Sequence, residues 1–182
     1  MSSLIAVCKT EEIDAILLQE TFLTTGTKLR IAGYNAYTTS MIGTDKGLAT
    51  LVRKTIPTTR LHNPIPCGIN VETLTVTLTL LNQKVDIYNI YRKINREEPG
   101  ELQLTQLFAY TERPPTLISG DFNAHHPILS SPSMTNLSGD HIAFVLEEFE
   151  GVALLNTRQP THLRGGTLDL TFVTTAIRHL TR

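Results

Sequence analysis

Tryptophan is absent from this 182-residue chain, and cysteine occurs only twice, at Cys8 and Cys67. The two thiols sit in unlike contexts, an apolar helical pattern and a Pro-Cys-Gly loop. Reduced thiols and no disulfide are expected. No apolar stretch approaches the roughly 20 residues that a membrane-spanning helix needs, and the N-terminus lacks a charged-then-apolar secretory order, so no membrane partner is expected. A long basic run is also missing. The 16 Lys and Arg against 17 Asp and Glu leave a formal charge of -1, which gives no compositional support for nucleic-acid binding. Lys28, Arg30, Lys46, Arg53, Lys54, Arg92, Lys93 and Arg96 lie near the segments discussed below and read mostly as solvated surface charge. There is no repeat and no low-complexity segment.

What is present is enough for a packed core. Hydrophobic residues make up 41% of the chain, which argues against disorder, and the length suits one domain over residues 1–182. Ser2 or Ser3 can cap a helix running to about Glu12. Ala15 to Leu18 reads as a short buried strand ending at Gln19-Glu20. Short strands are expected at Tyr34 to Tyr37 and at Gly47 to Val52. The alternation Thr73-Leu74-Thr75-Val76-Thr77-Leu78-Thr79-Leu80 predicts a strand with one buried and one polar face. Asn82-Gln83 predicts a turn, and Val85 to Tyr91 returns as its antiparallel partner. Pro99-Gly100-Glu101 reads as the opening of a helix with Leu104, Leu107 and Phe108 on one face. Asp140 to Glu150 reads as a second helix, and Thr116 to Ser119, Val152 to Leu155 and Leu168 to Val173 as strands. This mixed order, with one obligatory hairpin, predicts a layered α/β or α+β domain.

Chemistry concentrates in Leu117-Ile118-Ser119-Gly120-Asp121-Phe122-Asn123-Ala124-His125-His126. A strand stops at Gly120, where the backbone is expected to turn sharply. Asp121 and Asn123, two apart, can point the same way if the chain stays extended. An acid beside an amide suits the orientation of a water and a phosphate oxygen near a hard metal ion. Its plainer alternative is a turn, since Gly, Asp and Asn are turn residues. Asp169 stands inside an apolar strand, where an unpaired acid is costly, so it is expected to have a partner. His125, His126, Asp140, His141 and His162 lack the compact spacing of a zinc motif. The Asn136-Leu137-Ser138 sequon is read as chance.

The run Gly-Asp-Phe-Asn-Ala-His-His resembles the motif of the endonuclease/exonuclease/phosphatase superfamily, and more narrowly the endonuclease domain of non-LTR retrotransposons. Leu17-Leu18-Gln19-Glu20-Thr21, Asn89-Ile90-Tyr91-Arg92 and Gly166-Thr167-Leu168-Asp169-Leu170-Thr171-Phe172 agree with that family in order and spacing, as does Leu154-Leu155-Asn156 … Pro160-Thr161-His162. The resemblance implies a four-layer α/β/β/α sandwich. It implies a DNA endonuclease dependent on Mg2+, or on Mn2+, that nicks DNA to prime reverse transcription, placed in the nucleus. It makes Glu20 the metal ligand, Asp121 the residue that positions or deprotonates water, and Asn123 and Tyr91 phosphate contacts. Asp169 becomes the carboxylate that orients a catalytic histidine. Asn89 shares the face of Tyr91 and receives no role.

Two motifs of that family have no counterpart here: an opening strand with an asparagine, and a closing Ser-Asp-His strand. His179 follows Asp169 too soon and lacks a preceding aspartate, so it is not assigned the histidine's role. The expected domain is therefore incomplete at both termini. The alternatives to an active nuclease are an inactive remnant and a phosphatase of the same superfamily.

Overall fold

The computed structural model describes residues 6, 12–81, 83–94, 99–109, 115–129, 134–157, 159–161 and 167–174. Two sheets lie face to face. The smaller has order β1-β3-β2, from β1 (Ala15–Leu18), β2 (Tyr34–Thr38) and β3 (Ala49–Arg53), all antiparallel. The larger has order β10-β11-β9-β7-β6-β4, from β4 (Thr58–Arg60), β6 (Val71–Leu80), β7 (Gln83–Arg92), β9 (Thr116–Asp121), β10 (Val152–Leu154) and β11 (Asp169–Thr174). Its β7–β9 pair is parallel and its other pairs are antiparallel. A two-stranded piece joins β5 (Gly68–Ile69) to β8 (Glu101–Leu102). Two helices are described: α1 (Thr105–Ala109) and α2 (Leu137–Glu148).

The β6–β7 hairpin is the expected one, and each face of β7 has its own cover. Val85, Ile87, Asn89 and Tyr91 alternate with Tyr88, Ile90 and Arg92. The first set meets the small sheet: Ile87, Val76 and Leu78 pack with Val52, Ala15 and Leu17. The second set meets the helices: Tyr88, Ile90, Ile118, Leu170 and Phe172 pack with Leu107, Ile142 and Val145. Phe122 and Phe172 meet edge to face at 5.3 Å within this core, a favoured aromatic arrangement. The threonine face of β6 is covered at its middle, where Thr75 is 1% exposed, and open at its end, where Thr79 is exposed.

Several boundaries differ from the sequence reading. The helix expected from Pro99-Gly100-Glu101 starts only at Thr105, because Glu101–Leu102 pairs with Gly68–Ile69. Leu104 is buried ahead of the helix, and its N–H is taken by His141. The helix expected from Asp140 starts at Leu137, capped by Asn136, whose Oδ1 accepts from Gly139 N at 2.9 Å. β1 is half-buried at a sheet edge rather than enclosed. Of the helix expected from Ser2 or Ser3 to about Glu12, only Ala6 and Glu12 are described, and Glu12 is not helical. Asn82 of the expected turn, Cys8, Arg96, His162 and His179 lie outside the described residues. Cys67 is a free buried thiol, its pKa raised by burial to about 12. Among the described residues no helix is long and apolar enough to cross a membrane.

Candidate active site

The ladders of the large sheet set four side chains in one row. Glu72 pairs with Tyr91 across β6–β7, Tyr91 with Asp121 across β7–β9, and Asp121 with Asp169 across β9–β11. Directly paired residues share a face, with strands about 4.8 Å apart. The row therefore faces the small sheet at one end of the sandwich. A second polar row lies two residues back: Asn89, Ser119 and Thr171 are register partners, and the Ser119 and Thr171 hydroxyls bond at 2.8 Å.

Glu20 reaches this row from the opposite sheet. It follows β1, and its Oε1 accepts the hydroxyl proton of Tyr91. Burial pushes the Tyr91 phenol well above its ordinary value, and the bond to Glu20 and the charges of Glu20, Asp121 and Glu72 act the same way. Tyr91 is therefore a neutral donor throughout the physiological range. The resemblance implies a phosphate contact for Tyr91; in the structure its hydroxyl donates to Glu20.

Asn89 is what locks the two sheets in that alignment. Its Oδ1 accepts from Gln19 Nε2 at 2.7 Å, and its Nδ2 donates to Leu18 O at 3.2 Å and Ala49 O at 3.0 Å. The side chain is fully buried, so these bonds satisfy polar atoms that would otherwise lose water for nothing. Glu20 is two residues beyond Leu18, and its placement inherits this anchor.

The Asp121–Asn123 loop differs from the extended run expected. β9 continues through Gly120 and ends at Asp121. Gly120 (φ +154) is needed for close approach: a Cβ there would lie 1.9 Å from Ile90 O. Asp121 Oδ1 then accepts from Asn123 N at 3.0 Å, with Asn123 at φ +47, so the two side chains are related by a turn. Asn123 Nδ2 donates to Arg92 O, and Arg92 Nη1 donates to Asn123 O. Arg92 is buried and holds the loop to the end of β7, correcting its reading as surface charge. Asn136 donates from Nδ2 to Asn123 O, which fixes the same loop to α2 and uses the sequon's amide.

The Leu154-Leu155-Asn156 … Pro160-Thr161 motif positions β11. Asn156 Nδ2 donates to Asp169 O at 2.8 Å and Asn156 Oδ1 accepts from Thr171 N at 2.8 Å. Thr161 Oγ1 accepts from both Leu168 N and Asp169 N at 3.0 Å. These contacts, like Glu72, have no place in the sequence reading. Glu72 was within reach of it: folding the hairpin about the connection after Leu80 pairs Glu72 with Tyr91.

Oxygen dominates the available donors: the carboxylates of Glu20, Asp121 and Asp169 and the amide of Asn123. Such a set fits a hard cation, which takes one or two carboxylates and keeps its waters. It does not suit zinc. Among the described residues, no three His, Cys, Asp or Glu side chains converge as a ready metal cage. His126 accepts from Ile128 N through Nδ1, and His141 from Leu104 N through Nε2. Beside Tyr91, Thr44, Lys46, Lys93 and Ile94 line a cavity of about 340 Å3. Lys93 is paired there with Asp45, and Lys46 lies 5.4 Å from the Phe22 ring centroid.

A family model described as endonuclease-reverse transcriptase matches residues 85–182, more than half of the chain. Several solved structures share the fold. The endonuclease domain of TRAS1, a telomere-specific non-LTR retrotransposon, aligns with TM-score 0.68 and 17% identity over 97% of this chain and 79% of that one. D. rerio TDP2 complexed with single strand DNA product aligns with TM-score 0.57 and 15% identity, over 95% and 74%. A Bacteroides thetaiotaomicron mannosyl-6-phosphatase aligns with TM-score 0.56 and 14% identity, over 96% and 76%. At such identities the likeness concerns the fold, which hosts more than one chemistry. No curated protein sequence matches the chain.

Proposed function

The chain belongs to the endonuclease-reverse transcriptase family of the endonuclease/exonuclease/phosphatase superfamily, and from that premise we propose that it is the DNA-nicking endonuclease domain of a non-LTR retrotransposon, dependent on magnesium. The observation that carries this reading is the row of Tyr91, Asp121 and Asp169 meeting Glu20 from the other sheet. A phosphodiester repels hydroxide, so its hydrolysis needs charge neutralisation, a positioned water and a stabilised leaving oxygen. Magnesium, when bound, supplies charge neutralisation at the phosphate and the leaving oxygen.

The protein's own groups divide the remaining work. Glu20 would hold the cation, with its carboxylate accepting a hydrogen bond from Tyr91. Tyr91 keeps that carboxylate aimed. Asp121 orients the attacking water and takes its proton. Asn123 approaches a phosphate oxygen from the loop that Arg92 and Asn136 hold. Asp169, exposed at the start of β11, adds a third carboxylate to the row, and no imidazole of this chain is assigned to it. Lys46 beside Tyr91 offers positive charge to a DNA backbone. In a retrotransposon the nick exposes a 3′ hydroxyl that primes reverse transcription, which makes nuclear DNA the substrate.

Supercoiled-plasmid nicking tests the reading, with magnesium, with manganese, with EDTA and with a Glu20→Ala, Asp121→Ala double variant. Nicking is expected with either ion. Chelation or the double substitution should reduce it on the order of 1,000-fold or more, as removal of groups acting together does. Absence of nicking from a folded sample would make the chain an inactive remnant. Turnover of soluble phosphomonoesters instead of plasmid would make it a phosphatase.

A further inference from the structure

Glu72 is a buried carboxylate, 8% exposed, with no part in the steps above. Both of its oxygens are committed to the backbone: Oε1 accepts from Lys46 N at 2.7 Å and Oε2 from Gly47 N at 2.9 Å. A charged acceptor on two adjacent N–H groups makes a strong and directional hold. The same two residues use their carbonyls on another segment. Gly47 O accepts from Thr21 N at 3.0 Å, and Lys46 O accepts from Phe22 N at 2.8 Å.

Those bonds land on a strained turn. Glu20 has φ +49 and Phe22 has φ +52, a region that side chains with a Cβ occupy only where the surroundings hold them. The loop lies flush against this turn. A Cβ on Gly47 (φ +82) would stand 3.0 Å from Thr21 Oγ1 and 3.1 Å from Thr39 O. The circuit closes at Tyr91, which pairs with Glu72 along the ladder and donates its hydroxyl proton to Glu20.

We propose that Glu72 is a positioning residue for Glu20: through Lys46 and Gly47 it fixes the turn that aims the Glu20 carboxylate at the row. The inference rests on the role given to Glu20 in the proposed reaction. Glu72 touches no substrate in this account; its effect passes entirely through peptide groups.

Amide hydrogen exchange on the full chain tests it without reference to activity. In Glu72→Leu the Thr21 and Phe22 amides should exchange on the order of tenfold faster, while the central β6–β7 ladder keeps its protection. Glu72→Gln, which retains one acceptor oxygen, should fall between that variant and the parent. Val76→Ala, which thins the intersheet core instead, should not single out Thr21 and Phe22. Manganese binding, followed by electron paramagnetic resonance, should weaken in the same order as the exchange rates rise. Parent-like protection of Thr21 and Phe22 in folded Glu72→Leu would overturn the inference, and so would uniform acceleration across the ladder. If Glu72→Leu does not fold, Glu72→Gln decides by the same two amides. A parent that binds no manganese would count against Glu20 as a metal ligand, while the exchange rates would still decide whether Glu72 holds the turn.

Discussion

His141 lies on α2 with its Nε2 accepting from Leu104 N at 2.9 Å, which ties the helix to the segment ahead of α1. Burial lowers its pKa from the ordinary 6.5, against a smaller opposing effect from Glu101. The folded state therefore resists a proton that the unfolded chain accepts. With a depressed pKa, the stability this group contributes is whole above the unfolded value and is lost as pH falls through the folded one. Thermal unfolding at about pH 7.5 and about pH 5.5 should show a larger drop for the parent than for His141→Gln, whose amide oxygen accepts the same bond without titrating. Equal drops would show that His141 does not set this dependence. Motif alone singles out Glu20, Tyr91, Asp121, Asn123 and Asp169, which the fold brings to one end of the sandwich. It says nothing of their mutual contacts. That Tyr91 donates to Glu20, or that Asp121 caps the Asn123 turn, depends on distances between segments that no local pattern encodes.

At the scale of elements, β11 is held at its start by side chains from the preceding loop. Thr161 Oγ1 takes the N–H groups of both Leu168 and Asp169, and Asn156 bridges Asp169 O and Thr171 N. Thr161→Val keeps the shape and removes the acceptor. It should lower nicking on the order of tenfold while lowering the unfolding free energy by only about 1 kcal/mol, and Thr161→Ser should restore the rate. A Thr161→Val protein as active as the parent would reduce this loop to a covering role. Alternation was enough to place the β6–β7 hairpin, because a period of two is written in successive residues. The helix start at Pro99 was misread because tertiary pairing of Glu101–Leu102 with Gly68–Ile69 overrides a local helix signal. Gly120 was misread for a related reason. Its glycine is required by the neighbouring strand's Ile90 carbonyl, not by a turn in its own segment.

Over the whole molecule, the proposed activity depends on two sheets staying in alignment, and Asn89 fastens them together. Asn89→Ala leaves the Gln19 amide and the Leu18 and Ala49 carbonyls without their buried partner. Each such loss costs about 1–3 kcal/mol, so urea unfolding should show a loss of about 3 kcal/mol or more. A change under about 1 kcal/mol would mean the sheets are held by apolar packing alone. The sequence placed Asn89 on the right face but could not show that the opposite sheet reaches it, since Gln19 and Asn89 are 70 residues apart along the chain. The row itself has a further consequence, one of parity. Glu72, Tyr91, Asp121 and Asp169 are successive rungs of continuous ladders, and a one-residue slip sends a side chain to the opposite face. A single codon inserted or deleted between Thr116 and Gly120 would turn Asp121 into the helix-packed layer while leaving the Gly-Asp-Phe-Asn motif in place. The candidate site is thus guarded by strand length as strictly as by residue identity, and a copy of this gene can lose the row without losing any residue by which it would be recognised.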